Sequence, residues 1–85
     1  MGIAEVQGDA TMATPTHMRV FEGQLVQAVQ RCFPDFATGV EYWGDQERGH
    51  AWRVTVNGIV GDLTQAEAEL AVGGRRDEFR SLFGF

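Results

Sequence analysis

Apolar and polar residues alternate on both sides of the dipeptide Asn57-Gly58. A two-residue type I′ turn needs positive φ at both central positions, which Asn and Gly accept readily, so this pattern predicts a β-hairpin. Side chains alternate along a strand, and the residues paired across the turn therefore share faces. The expected core face of the hairpin comprises Trp52, Val54, Val56, Ile59, Gly61 and Leu63.

Three strands are expected in all, over residues 38–44, 50–57 and 59–63. The first strand is registered on the second by requiring Tyr42 to lie beside Trp52, which sets Glu41 opposite Arg53. A shift by one residue would place the carboxylate of Glu41 unpaired on the core face, which is far costlier than the shift gains. The outer face is then expected to carry Glu41, Arg53 and Asp62 in a row, with Trp43 and Val60 beside this row. The same register places Trp43 opposite Ala51 and leaves 45–49 as the connecting loop.

The spacing of apolar residues before the strands predicts a helix over 15–33. Thr14 or Thr16 is the expected N-cap, and Pro34 ends the helix because it disfavours helical backbone at the preceding residue. Gly23 weakens the first turn, so an extended start over 18–21 is the alternative. The apolar stripe of this helix comprises Met18, Phe21, Leu25, Ala28, Val29 and Cys32.

After the strands, Thr64 and Glu67 have the spacing of a capping box, which predicts that a second helix begins at Thr64. This helix is expected to end near Val72, because Gly73-Gly74 would destabilise a continuous helix by about 2 kcal/mol. A short last helix is predicted over 75–83, with Phe79, Leu82 and Phe83 on one face.

The resulting fold class is α+β, a single small domain over 14–85 with α-β-β-β-α order and a short extra C-terminal helix. A three-stranded antiparallel meander packs on the helices. Residues 1–13 lack clear periodicity and are expected to form a flexible N-terminal tail, unless Ile3 and Val6 add an edge strand. The order is similar to that of double-stranded RNA-binding domains. Those domains place lysines at the start of the second helix, whereas residues 64–69 carry two glutamates here, which repel phosphates.

Charge sharpens this interpretation. The 85-residue chain has a net charge of −5 and no lysine, which argues against a broad phosphate-binding surface. A single cysteine, the lack of a long apolar run and the lack of a signal-peptide pattern favour a cytoplasmic protein without membrane association.

The chemistry-bearing side chains predict no catalytic, cofactor or metal site, and hence no enzyme. Cys32 lies on the apolar stripe of the first helix, where a free cysteine is usually a buried hydrophobe. The only serine, Ser81, has no nucleophile-elbow pattern around it. Asp45, Glu47 and His50 match no calcium or zinc spacing and are interpreted as a solvated loop.

The expected function is therefore that of a small acidic protein-binding module with a basic partner. Its expected partner-binding residues are Glu41, Trp43, Asp45, Glu47 and Asp62. One form of this hypothesis is an inhibitor that blocks the nucleic-acid-binding surface of its target, by analogy of size and charge with the anti-CRISPR proteins of phages and mobile elements. One alternative is a structural or assembly adaptor or a phage component, dimeric through the C-terminal aromatics Phe79, Phe83 and Phe85. The other is a nucleic-acid-binding domain using Arg75, Arg76 and Arg80, with Arg48 as a further candidate.

Overall fold

The computed structural model describes residues 14–45 and 47–85. Its elements are a 3₁₀ turn over Thr16–Met18, α1 over Arg19–Cys32, β1 over Thr38–Asp45, β2 over His50–Val56, β3 over Ile59–Leu63, α2 over Gln65–Val72 and α3 over Arg76–Ser81. The α+β class and the α-β-β-β-α order with a short added helix are confirmed. The expected flexible tail over 1–13 lies outside the described residues.

The sheet is an antiparallel meander in the order β1-β2-β3. Its register is the expected one, with Tyr42 opposite Trp52 and Val56 opposite Ile59. Asn57 and Gly58 have φ of 50° and 82°, which confirms the two-residue turn. All pairings that depend on that turn, from Val56–Ile59 to Trp52–Leu63, are present.

The connection between β1 and β2 differs from expectation. The register shifts by one residue between Tyr42 and Asp45, and Asp45 lies opposite His50. Trp43 and Gly44 thus oppose Ala51 together, and Gly44 has φ of 65°, as in a glycine-containing β-bulge. The predicted one-to-one pairing of Trp43 with Ala51 is therefore wrong, and Asp45 belongs to the strand rather than to the loop.

The core lies between one face of the sheet and the helices, with α1 packed on β1 and α2 packed on β2 and β3. Its buried members are Leu25, Ala28, Val29, Cys32, Phe33, Trp52, Val54, Val56, Leu63, Ala68, Ala71, Phe79 and Phe83. Two predicted core residues are instead exposed: Ile59 by 45% and Leu82 by 41%. Ile59 directly follows the hairpin turn, and Leu82 follows the end of α3.

The helix ends show which local predictions hold. The chain is helical from Thr16 onward, so the alternative of an extended start over 18–21 is wrong. Neither Thr14 nor Thr16 caps α1. The hydroxyl of Thr14 instead donates a hydrogen bond to the carboxylate of Glu22. The capping box at Thr64 is present in both directions, with Thr64 N–H to Glu67 Oε1 at 2.8 Å and Glu67 N–H to Thr64 Oγ1 at 3.1 Å. The C-terminal end of α2 was also predicted correctly.

That end is a Schellman motif. Arg75 N–H donates to the carbonyl of Leu70, and Gly74 N–H donates to the carbonyl of Ala71. Gly74 has φ of 81°, which this motif requires at that position. The chain thereby turns sharply into α3, which brings Phe79 and Phe83 onto the core.

Candidate functional site

The outer face of the sheet is the side turned away from α1 and α2. Trp43 and Arg53 lie on it together, with the Arg53 guanidinium carbon 3.7 Å from the centroid of the Trp43 ring. Asp62 accepts two hydrogen bonds from this guanidinium, from Nε at 2.7 Å and from Nη2 at 3.2 Å. Three strands thus contribute one side chain each to a stack of tryptophan, arginine and aspartate.

The charged members of this stack are half-buried and paired with each other. The side chains of Arg53 and Asp62 are 32% and 30% exposed. The hydrogen bond from Arg53 lowers the pKa of Asp62 below its ordinary value, and the same bond raises the pKa of Arg53. Both groups are therefore charged at neutral pH, and the two hydrogen bonds to Asp62 hold the guanidinium in place over the indole ring.

Glu41 lies directly opposite Arg53 but forms no ion pair with it in the part of the chain that the structure describes. In the expected row of Glu41, Arg53 and Asp62, the ion pair of Arg53 is therefore with Asp62. Glu41 is exposed and leaves a negative charge beside the stack.

The loop between β1 and β2 carries the remaining predicted acids. Asp45 accepts a hydrogen bond from the backbone N–H of Arg48 at 3.3 Å, and its carboxylate lies 4.0 Å from the Arg48 guanidinium. Asp45 therefore shapes the turn, whereas Glu47 is exposed. A small open depression of about 270 Å³ adjoins this loop, lined by Tyr42, Gly44, Asp45, Gly49, His50 and Ala51.

The five predicted partner-binding residues thus fall into two groups. Trp43 and Asp62 are joined through Arg53, with Glu41 beside them, whereas Asp45 and Glu47 lie at the loop end of the same sheet. Sequence reasoning treated Arg53 only as one member of a charge row and missed that it covers Trp43. The outward position of both residues was a sufficient indication that they would meet.

The other chemistry-bearing groups show different roles. Cys32 is buried, and that burial raises the pKa of its thiol, which disfavours the thiolate that nucleophilic attack needs. Among the residues that the structure describes, no group of three or more His, Cys, Asp or Glu side chains is placed to hold a metal ion.

The C-terminal arginines do not form one basic patch. Arg75 forms an ion pair with Glu78, and Arg80 donates to the carbonyl oxygen of Cys32 at 2.7 Å. The Arg80 guanidinium also lies 5.1 Å from the Phe33 ring centroid. Two of the three C-terminal arginines of the nucleic-acid hypothesis are therefore engaged within the chain.

The C-terminal aromatics are packed within the chain. Phe79 and Phe83 are buried, and Phe85 lies against Phe33 and Phe36 with centroid distances of 5.1 Å and 5.5 Å. Phe85 remains 46% exposed. Burial of Phe79 and Phe83 thus does not require a second copy of the chain.

Comparison of the chain with protein-family models, with curated proteins and with solved structures yields no match. No helix within 14–45 and 47–85 has the length and apolar character that crossing a bilayer demands.

Proposed function

We propose that the protein is a non-enzymatic protein-binding module that docks the outer face of its sheet, with the β1–β2 loop, on a basic surface of a partner protein. The observation that carries this proposal is the Trp43–Arg53–Asp62 stack. Tryptophan and arginine are the residues most enriched at interface hot spots, and here the two are already ordered before any partner arrives. Such preorganisation reduces the entropy lost on binding.

Charge complementarity indicates the chemistry of the partner. The outer face and its loop carry four carboxylates, Glu41, Asp45, Glu47 and Asp62, against the two guanidiniums of Arg48 and Arg53. Because Asp62 and Asp45 are engaged with these arginines, Glu41 and Glu47 are the acids that remain to pair with a partner. Trp43 lies between them in the sequence and supplies the apolar contact.

A protein that binds nucleic acid would offer such a basic surface. In that case the carboxylates occupy the positions of phosphates, and the module is an inhibitor of the kind that phages and mobile elements use against host defence. Exposed Val60, on the same face, extends the apolar contact beyond Trp43. An assembly partner with a basic patch would use the same residues.

The test compares two charge-reversed variants with equal net charge. Glu41→Lys with Glu47→Lys reverses the proposed contact, whereas Asp35→Lys with Asp77→Lys reverses two exposed acids outside the outer face. Immobilised proteins capture the partner from a lysate of the native host, and calorimetry then measures its affinity. The contact pair is expected to lose at least about tenfold in affinity, with a reduced salt dependence, and the control pair is expected to bind normally.

Trp43→Ala is expected to weaken the same complex by about 2 kcal/mol, the threshold of a hot spot. Equal capture by all variants would remove the outer face from the interface. A fluorescence-anisotropy titration with labelled duplex RNA and DNA addresses the nucleic-acid alternative directly. Micromolar binding that weakens steeply with salt would overturn the proposal and favour a nucleic-acid-binding domain.

A further inference from the structure

The outer edge of β1 carries backbone groups that no other strand takes up among the residues that the structure describes, since the sheet order is β1-β2-β3. One hydrogen bond beside the strand shows which groups these are. Asn57 N–H donates to the carbonyl oxygen of Ala37 at 2.9 Å, one step beyond the pairing of Thr38 with Val56. Ala37 and Asn57 are therefore a hydrogen-bonded pair that continues the ladder between β1 and β2.

Hydrogen-bonded and non-hydrogen-bonded pairs alternate along an antiparallel ladder. Gly39 and Glu41 therefore use their backbone groups toward β2, whereas those of Thr38, Val40 and Tyr42 point away from it. In the described part of the chain, no backbone hydrogen bond beside the β1–β2 ladder involves any of these last three residues. The edge thus presents a row of N–H and C=O groups to which a further strand can bind.

The side chains along this edge differ between the two faces of the sheet. Val40 and Tyr42 lie on the inner face, where both are half-buried against the core. Glu41 lies on the outer face, is exposed, and forms no ion pair within the described residues. Gly39, on the same face, has no side chain that would obstruct a neighbour. An added strand would therefore meet apolar groups on one side and a carboxylate on the other.

We infer that the partner adds an extended, antiparallel segment to the edge of β1, and that basic side chains alternate with apolar ones along this segment. The inference rests on the proposed function and specifies the form of its basic partner. Hydrogen bonds to the backbone of Val40 and Tyr42 attach the segment, and its apolar side chains lie beside these two residues. The partner residue opposite Glu41 belongs to a non-hydrogen-bonded pair, in which side chains are closest, so a basic side chain is favoured there.

The edge of β1 fits this partner better than the edge of β3. The third strand has only five residues, and its acid, Asp62, is already paired with Arg53. A second copy of the chain is disfavoured as the occupant of β1, because this strand carries Glu41 and Asp45 and no basic residue. Two copies paired edge to edge would bring like charges together, which destabilises a sheet.

The probe is a heptapeptide with blocked ends in which arginine and valine alternate, added to the full chain. Amide hydrogen exchange followed by NMR measures the edge directly. Without peptide, the amides of Val40 and Tyr42 are expected to exchange faster than those of Gly39 and Glu41, which donate to β2. Peptide at ten times its Kd is expected to slow exchange at Val40 and Tyr42 by about tenfold.

Methylation of backbone nitrogens in the peptide tests the strand pairing with matched controls. In the antiparallel arrangement, the valines lie opposite Val40 and Tyr42 and form the hydrogen bonds, whereas the arginine N–H groups point to solvent. Methylation of two valine nitrogens is expected to weaken binding by at least about tenfold, and methylation of the two internal arginine nitrogens by much less. A peptide of the same composition with three valines followed by four arginines is expected to lose the protection of both amides.

The variant Glu41→Gln tests the basic character of the segment. It is expected to weaken binding of the alternating peptide by about two- to fivefold, the effect of an exposed pair of opposite charges across two strands. Asp35→Asn removes one negative charge at an exposed position outside β1 and is expected to bind like the wild type. A peptide with glutamate in place of every arginine is expected not to bind.

Three results would each overturn the inference. One is unchanged exchange at Val40 and Tyr42 with excess peptide, and another is an equal effect of the two methylation patterns. The third is slow exchange of these two amides in dilute protein without peptide, which would show that another part of this chain or a second copy occupies the edge. Partner capture that depends on Glu41 and Glu47 would survive all three, so the proposed function and this inference fail separately.

Discussion

The two tryptophans of this chain lie on neighbouring strands and face opposite sides of one sheet. Trp52 is fully buried, packs 5.3 Å from Tyr42 and 5.6 Å from Phe21 by ring centroids, and donates from its indole nitrogen to Gln65 at 2.8 Å. Trp43 is partly exposed and contacts the guanidinium of Arg53. The same residue type is packed among aromatic neighbours on one face, whereas on the other it lies against an arginine that is itself ion-paired with Asp62.

The largest expected effect comes from truncating each tryptophan in turn. Trp52→Ala is expected to lower the free energy of unfolding by about 3–5 kcal/mol, because it leaves a large cavity in the core. A domain of this size is stable by only about 4–13 kcal/mol, so the variant is expected to be largely or partly unfolded. Trp43→Ala is expected to cost no more than about 1 kcal/mol, the value of an exposed cation–π contact.

Urea unfolding followed by far-ultraviolet circular dichroism measures both variants without relying on tryptophan fluorescence. Similar losses of stability for Trp43→Ala and Trp52→Ala would break the distinction between the faces. It would mean that Trp43 belongs to the structural core rather than to a docking surface.

A smaller effect is expected from alanine at two strand glycines. At Gly61, on the inner face, an added Cβ would lie 2.8 Å from Cε2 of Phe83, so Gly61→Ala is expected to destabilise by about 1–3 kcal/mol. At Gly39, opposite Thr55, the nearest atom would be at 3.9 Å, an ordinary contact. Gly39→Ala is therefore expected to be neutral or to stabilise by up to about 1 kcal/mol.

The two glycine variants are compared by their urea denaturation midpoints, with the same dependence of the unfolding free energy on urea concentration in both. If Gly61→Ala were as stable as Gly39→Ala, Phe83 would have to be free to move away from β3. The close packing of Phe83 against Gly61 on the inner face of the sheet would then be incorrect.

The smallest effect is expected in the pH dependence of stability. The pKa of Asp62 is lowered in the folded state by the hydrogen bond from Arg53, so the pair stabilises the fold above the ordinary pKa of a carboxyl group and ceases to do so as pH falls through the lowered value. Asp62→Asn removes this contribution. Wild type is expected to have the higher Tm at neutral pH, and the gap is expected to close between about pH 5 and pH 2.

Asp77→Asn is the control, since Asp77 has no ion-pair partner within the described residues. Calorimetric melting across that pH range should show a Tm difference from wild type that closes in acid for Asp62→Asn alone. A gap that widens in acid would reverse the sign of the coupling between Asp62 and Arg53.

The assignment of faces could be predicted from the sequence because one short-range feature determines it. Asn57-Gly58 permits a two-residue turn, and the turn length fixes which side chains pair across β2 and β3. The cost of burying an unpaired Glu41 carboxylate then fixed the register of β1 against β2. Capping at Thr64 and the stop at Gly73-Gly74 are likewise local, so they too were accessible without knowledge of the tertiary structure.

Features that depend on tertiary distance were not accessible. The bulge at Trp43 and Gly44 inserts one residue without any change in hydrophobic pattern, so alternation alone could not reveal it. Ile59 satisfies the pattern of an inward residue, but it directly follows the hairpin turn and is exposed. The hydrogen bond from Arg80 in α3 to the carbonyl oxygen of Cys32 in α1 joins two residues that no local spacing relates.

The contact between Gly61 and Phe83 also bears on the order in which the chain can fold. The hairpin is complete in the sequence by residue 63, but an isolated hairpin is at best marginally stable in water. Its inner face is closed only when a phenylalanine twenty-two positions later reaches the bare backbone of Gly61. During synthesis from the N-terminus, the inner face at Gly61 therefore lacks this cover until almost the whole described chain has emerged.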